Sequence, residues 1–353
     1  MTLKTEAIIG CILGTAVGDA FGLPWEGLSR QRQGRINCRL TRYHFFFGKG
    51  MVSDDTEHTW MVAQSLVVSG GDVRRFTKAL AWRLRWWLVA LPAGVGLATL
   101  RAIAKLWLGF PQSGVFSAGN GPAMRSAIIG VCYGSDLPKL QEFVRASTRL
   151  THTDPKAEYG AMAVAIAAHC ASQKRAISGN DYYQILEKSL PPEAIEFLRL
   201  IQQACDSVTQ GQDTQTFAVQ LGLGTGVSGY IYHTVPVVIQ AWLTHPNDYR
   251  RGVIGIVRCG GDTDTTAAIL GAIMGAGVGE NGIPETWIND LWEWPRTVVW
   301  MRDLGYGLAV ACDRGTPGPP VPLALYGMGI IPRNLLFLVV VILHGFRRLL
   351  PPY

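Results

Sequence analysis

Glycine recurs at every fourth position near the start of the chain, at Gly10, Gly14, Gly18 and Gly22, and the spacing returns far downstream at Ala267, Gly271, Gly275 and Gly279. On an α-helix a period of four keeps each set on one face, where the missing side chains let another backbone approach closely. Glycine costs a helix roughly 1 kcal/mol per residue against alanine, so two such ridges predict tight helix packing that offsets the loss. The two helices are expected to pack against each other. An antiparallel pair brings the segment after the first helix, leading to Glu26, beside the segment before the second, which holds Asp262 and Asp264. A parallel pair separates them by the helix length, about 1.5 Å per residue.

The rest of the chain agrees with a helical body. Apolar and alanine-rich stretches of helical length run over 56–68, 94–108, 122–132, 156–171 and 265–277, and 231–239 reads as a further buried helix despite Pro236. Of 353 residues 48% are hydrophobic and only 16% charged. The charged share is below the usual ~25%, which predicts a large buried fraction. The formal charge is +6, but the basic residues are scattered along the sequence. A nucleic-acid partner is therefore not expected, and an anionic small ligand is. Seven cysteines, at 11, 38, 132, 170, 205, 259 and 312, include no CxxC pair, which points to a reducing cytoplasm rather than a disulfide frame or zinc ribbon. The apolar run 7–17 is read as part of the body rather than a signal peptide, because Glu6 precedes it and glycines interrupt it.

Three parts are expected: a body over 1–314, a Pro/Gly-rich linker over 315–334, and a C-terminal apolar helix over 335–353 ending in Arg347 and Arg348. Nine consecutive apolar residues, 335–343, fall short of the ~20 a spanning helix needs. Packing back onto the body is the expected role. A subunit contact and an interfacial membrane helix are the alternatives.

Two acidic clusters precede helical patterns: Ser53-Asp54-Asp55-Thr56, and Gly261-Asp262-Thr263-Asp264-Thr265. Each cluster taken alone is explained as well by helix capping as by function. Together they hold more carboxylates than caps require. Bunched carboxylates repel unless protonated or neutralised, and a hard divalent cation neutralises them with oxygen ligands alone. Mg²⁺ or Mn²⁺ is preferred over Zn²⁺, for which cysteine and histidine ligands at suitable spacing are missing. Four aspartates and Glu26 suffice for two ions.

Read in order, Gly18-Asp19-Ala20-Phe21-Gly22 with Glu26, Ser53-Asp54-Asp55-Thr56, Gly119-Asn120-Gly121-Pro122-Ala123-Met124-Arg125, Thr151-His152-Thr153-Asp154-Pro155 and Gly261-Asp262-Thr263-Asp264-Thr265 resemble the ADP-ribosylglycohydrolase family over roughly residues 6–312. The resemblance implies a compact, orthogonal all-α bundle with a dinuclear Mg²⁺ or Mn²⁺ centre at the base of an ADP-ribose cleft. It implies Ser53, Asp54, Asp55, Asp262, Asp264 and Thr265 as metal ligands, with Asp264 bridging the ions. Glu26 and Asp55 are the implied catalytic carboxylates, Glu26 for acid/base or water-orienting duty. Ser117, Gly119, Asn120, Gly121 and His152 are the implied substrate contacts. The glycines would let backbone N–H groups approach a diphosphate, helped by a helix start at Pro122. His58 is expected to pack behind the metal loop, and Arg125 is left without a role.

Two departures bear on the substrate. Pro92-Ala93-Gly94-Val95-Gly96 has no aspartate where nitrogenase-regulating members carry one, so the chain looks more similar to the branch acting on O-linked ADP-ribose. Ala118 supplies no ring to stack on the ligand; Trp82, Trp86 and Trp87 are the candidates, although tryptophans at i, i+4 spacing suit a core or an interface. The expected activity is release of ADP-ribose from modified protein side chains by a monomeric cytoplasmic enzyme. Hydrolysis of a free ADP-ribosyl metabolite or nucleoside-type glycoside is the nearest alternative. A catalytically silent ADP-ribose-binding or structural protein is the alternative of another class.

Overall fold

The first helix, α1 (Leu3–Gly22), starts where the Thr2 hydroxyl accepts from the Thr5 amide, and every residue from Ala7 to Gly22 is buried. In this computed structural model, which describes residues 2–36, 40–319 and 329–348, α1 is long and apolar enough to cross a membrane, yet its apolar stretch lies inside the protein. It is followed by α2 (Arg30–Arg35), α3 (Asp54–Ser69), α4 (Val73–Val89), α5 (Leu97–Trp107), α6 (Ala127–Tyr133), α7 (Leu137–Arg149) and α8 (Pro155–Ser172). Next come α9 (Gly179–Ser189), α10 (Ile195–Thr209), α11 (Thr214–Gln220), α12 (Ile231–Thr244), α13 (Tyr249–Val257) and α14 (Thr263–Val278), then α15 (Glu285–Asn289), α16 (Val298–Arg314) and α17 (Ile330–Arg347). Among the described residues there are isolated bridge pairs but no sheet, so the body is all-α as expected.

The glycine ridges meet. A Cβ placed on Gly10 would stand 2.1 Å from the Gly275 carbonyl oxygen, on Gly14 2.1 Å from that of Gly271, on Gly18 2.1 Å from that of Ala267, and on Gly22 2.2 Å from that of Thr263. As one number rises by four the other falls by four, so α1 and α14 run antiparallel with backbones in contact. Gly279, the last member of the second ridge, ends α14 with φ 67°. Two hydroxyls fix the register: Tyr249 donates to the Gly14 carbonyl at 2.7 Å and Thr263 to that of Gly22 at 2.9 Å. Around this pair pack α3, α6, α8, α12, α13 and α16.

Two expected elements differ. The helix expected over 122–132 is a 3₁₀ turn, Ala123–Arg125, and the short α6. The C-terminal helix begins at Ile330, inside the stretch expected to be linker; residues 320–328 and 349–353, and Cys38, lie outside the described residues. The inner face of α17 buries Arg333, Asn334, Phe337 and Val340, so the helix does pack back onto the body. Its outer face is exposed.

Candidate active site

Antiparallel packing sets the loop after α1 beside the loop before α14. The Gly27 amide donates to the Gly261 carbonyl at 2.7 Å, and the Gly261 amide to that of Leu28 at 2.9 Å. Gly260 and Gly261 have φ of 75° and 83°, and a Cβ on Gly261 would stand 2.0 Å from the Val227 carbonyl oxygen. Only glycine fits a turn this tight before Asp262.

Helix capping does not account for the aspartates. At α3 the cap is Ser53, which accepts from the Asp55 amide, and α14 has no side-chain cap at Asp262. Glu57, three residues after Asp54 and so spaced for a capping box with it, instead accepts from Trp87 Nε1 at 2.6 Å and pairs with Arg296 at 2.6 Å. The buried Asp19 carboxylate holds the acidic loop, accepting from the Ser53 and Thr56 amides at 2.9 and 3.2 Å and from the Thr56 hydroxyl at 2.5 Å.

A cleft of about 400 Å³ opens above these loops. Its acidic side is lined by Glu26, Ser53, Asp54, Asp262, Asp264 and Thr265; Ser117, Gly119, Asn120, Gly121 and His152 line it as well. Of the expected site residues only Asp55 is missing from the lining. Asp55 lies buried beneath the floor, its Oδ2 accepting from Ser53 Oγ and Thr265 Oγ1 at 3.2 Å each. Asn120 ties the two sides together, donating to Asp262 Oδ2 at 2.6 Å and Thr234 Oγ1 at 3.0 Å. His152 Nδ1 pairs with the Thr151 hydroxyl at 2.9 Å, and its other nitrogen faces Gly119.

Charge dominates the floor. Burial first, then Asp54, Asp19 and Asp262, push the Asp55 carboxyl well up; burial first, then Glu26, Asp262 and Asp55, do the same to Asp264. Asp54 and Asp262 are also raised, burial leading in each. Glu26 is exposed at the rim, yet crowding by the surrounding protein and then the Asp262 carboxylate still raise it, against the pull of Arg348 and a hydrogen bond with Asp264. Burial beside Arg125 holds His152 down to about 3, so it is neutral.

A family model described as ADP-ribosylglycohydrolase matches residues 1–315. The chain belongs to the ADP-ribosylglycohydrolase family. It is 33% identical over 293 residues to an uncharacterised protein of Archaeoglobus fulgidus, covering 81% of this chain and 92% of that one. It is 27% identical to the ADP-ribosyl-[dinitrogen reductase] glycohydrolase of Rhodospirillum rubrum, covering 81% and 90%, and 28% identical to ADP-ribosylhydrolase ARH3 of Gallus gallus, covering 79% and 87%. A solved structure titled ADP-ribosylglycohydrolase-related protein complex superposes with a TM-score of 0.57 at 25% identity, over 88% of this chain and all of that one.

ADP-ribosylglycohydrolases are hydrolases, and the donor set of this member suits a hard divalent cation. Asp55 Oδ1 and Asp264 Oδ1 are buried with no hydrogen-bond partner, a costly state for a carboxylate in a protein interior. The other candidate donors, the Asp54 and Asp262 carboxylates and the Ser53 and Thr265 hydroxyls, complete an oxygen-only set. Among the described residues no three His, Cys, Asp or Glu side chains are grouped so as to hold a metal ion by themselves.

Several residues of this family member escaped sequence reasoning. Arg333 of α17, beyond the family match, pairs with Glu293 at 2.5 Å and donates to the Val52 carbonyl at 2.6 Å, while Glu293 accepts from the Val52 amide at 2.7 Å. Both polar groups of Val52, the residue before Ser53, are thus clamped. Phe337 and Val341 of α17 join Leu23, Ala93 and Leu97 in the apolar side of the cleft. Arg125 is a buried strut, bonded to Ser147, Thr151 and the His58 ring at 2.8 Å from His58 Nδ1. Of the three tryptophans named as candidates to stack on the ligand, Trp82 and Trp86 are exposed and Trp87 is buried against His58; none lines the cleft.

Proposed function

We propose that this chain hydrolyses the bond between C1 of the ribose and the modified side chain, releasing ADP-ribose from O-linked sites in preference to arginine-linked ones, in the cytoplasm. The observation that carries this reading is the convergence of Glu26, Asp54, Asp262 and Asp264 from distant segments on one cleft that also holds Gly119, Gly121 and His152. Ser53, Asp54, Asp55, Asp262, Asp264 and Thr265 would hold two Mg²⁺ or Mn²⁺ ions. When bound, these cations neutralise the floor and orient the ribose hydroxyls.

The protein's own groups do the rest. Gly119 and Gly121 leave room for a diphosphate against the backbone, while the neutral His152 adds a polar contact without setting a like charge against the cations. The 3₁₀ turn and short α6 that follow provide little dipole, so backbone N–H groups and space are the relevant features. Glu26, with its raised pKa, takes a proton from the attacking water. The water oxygen adds to C1 as the bond to the side-chain oxygen breaks through an oxocarbenium-like state, and the proton passes to the departing hydroxyl. Gly94 stands beside Asp54, its Cβ position 3.3 Å from Asp54 Oδ1, and its φ of +83° disfavours a larger residue there. The absence of an aspartate in that loop supports the O-linked preference.

The test is release of ADP-ribose from serine-linked and arginine-linked peptides with Mg²⁺, with Mn²⁺ and with chelator, alongside calorimetric titration of ADP-ribose. Cation-dependent release from the serine-linked peptide is expected. Binding without release from either peptide refutes protein-linked hydrolysis and points to a free metabolite or a silent binder.

A further inference from the structure

Between Asp72 and Asp136, and again after Asp313, the sequence contains neither Asp nor Glu. These two acid-free segments supply α4, α5 and α17. Scattered basic residues are thereby gathered on helices that carry no acid of their own: α4 carries Arg74, Arg75, Lys78, Arg83 and Arg85, α5 carries Arg101 and Lys105, and α17 ends on Arg347. Among the described residues, the same segments carry most of the large hydrophobic side chains left in solvent.

The exposed apolar groups form rows, not isolated spots. On α17, Leu335 (47% exposed), Val339 (51%), Leu343 (62%) and Phe346 (63%) follow helical spacing. On α4 and α5, exposed Trp82, Trp86 and Trp107 form an edge-to-face chain with 5.6 Å between successive centroids. The three helices adjoin. Arg85 Nε donates to the Leu106 carbonyl at 2.9 Å, Asn334 Nδ2 donates to that of Ala90 at 2.7 Å, and Leu97 of α5 shares a cleft with Phe337 and Val341 of α17.

We propose that the face formed by α4, α5 and α17 docks on an anionic lipid bilayer, with α17 lying in the interface. Aliphatic rows enter the acyl boundary, tryptophans suit the headgroup level, and cations flanking both meet lipid phosphates. The inner face of α17 is held to the body by the buried Arg333–Glu293 pair, so the helix is half-embedded and does not span. A second copy of the chain is a poorer occupant, because stacking this face on itself sets cations against cations with no carboxylate on these helices to pair them. A nucleic acid is a poorer occupant too: the rings of Phe346, Trp82, Trp86 and Trp107 could stack on bases, but the aliphatic Leu335, Val339 and Leu343 would then gain no partner. The docking does not depend on the reaction proposed above.

The experiment is flotation of the full chain with vesicles of phosphatidylcholine alone and with about one third phosphatidylglycerol. The chain is expected to float with the anionic vesicles, less so as salt is raised, and to stay at the bottom with the neutral ones. Replacing Leu343→Glu and Phe346→Glu together, both in exposed positions, should lower the vesicle-bound fraction about tenfold or more while the circular dichroism melt stays unchanged. Arg101→Glu with Lys105→Glu tests the charged part separately and should weaken binding to the anionic vesicles alone. Failure to float with anionic vesicles overturns the proposal, and so does equal flotation with neutral ones. A dimer in sedimentation velocity that the Leu343/Phe346 variant disperses, or oligonucleotide binding in place of flotation, assigns the face to those partners instead.

Discussion

Substituting Gly14→Ala tests whether the centre of this protein is a backbone-to-backbone contact. The added Cβ would stand 2.1 Å from the Gly271 carbonyl oxygen, 3.0 Å from its carbonyl carbon and 3.1 Å from Gly275 Cα. Ordinary contact begins near 3.4 Å, so α1 and α14 must part by roughly 1.3 Å, and every obstructing atom is main chain that cannot swing aside. Alanine gains roughly 1 kcal/mol of helix propensity over glycine. Overpacking of a filled core costs about 1–3 kcal/mol and sometimes more, and parting the helices also strips contacts along the ridge. The expected net effect is a loss of about 2 kcal/mol. Gly255→Ala in α13 is the control, because nothing stands within 4 Å of the new methyl group, and it should gain about 1 kcal/mol. Urea unfolding followed by circular dichroism reads both variants against the parent, as midpoint shifts at equal slope. If Gly14→Ala stabilises the protein as Gly255→Ala does, the helices do not approach as described.

Asp264→Asn should lower turnover about 10²–10³-fold and abolish the heat of Mn²⁺ binding, while leaving the melting curve unchanged or raised, because it removes one crowded buried charge. Arg333→Met leaves the buried Glu293 uncompensated and should cost about 3–5 kcal/mol in urea unfolding; Arg333→Met with Glu293→Gln together should recover part of it, and equal losses in both would deny the pair its role. Burial pushes the Asp19 carboxyl from 3.8 up to about 7, so the folded state keeps a proton that the unfolded state releases, and the stability present in acid is lost as pH rises through that window. Buried neutral histidines such as His152 act in the opposite sense in the same range, but they do so equally in an Asp19→Asn variant. Relative to the parent, Asp19→Asn should therefore gain stability between about pH 4 and pH 7, by at most about 4 kcal/mol, and a flat difference in paired urea titrations would contradict the burial of that charge.

What the sequence revealed, and what it hid, follows from the range of each interaction. A four-residue period of glycines is a local signal of close packing, and paired carboxylates before apolar runs are a local excess of charge, so both were readable. The start of α17 falls inside the stretch expected to be a Pro/Gly-rich linker, and Pro332 sits in the first turn of that helix, where a missing N–H costs little. Asp19 read as a member of a motif, but its work as the strut under Ser53 and Thr56 depends on partners 34 and 37 residues away. Arg333 reaches Val52 across 281 residues, and Asn120 reaches Asp262 across 142. No pattern within a window of sequence announces such contacts. The family resemblance placed the cleft residues together, yet it ended before α17, and so the apolar wall of the cleft came only with the structure.

The union of α1 with α14 also sets a waiting time. During synthesis α1 leaves the ribosome before α14, and the residue that closes on Gly22, Thr263, comes 241 residues later. At about 5–20 residues per second the interval is on the order of tens of seconds. Throughout it a twenty-residue helix apolar enough to cross a membrane has no partner to cover its glycine ridge. The antiparallel pair thus makes the apolar face of α1 the part of the fold that stays uncovered longest, and it closes only when α14 arrives.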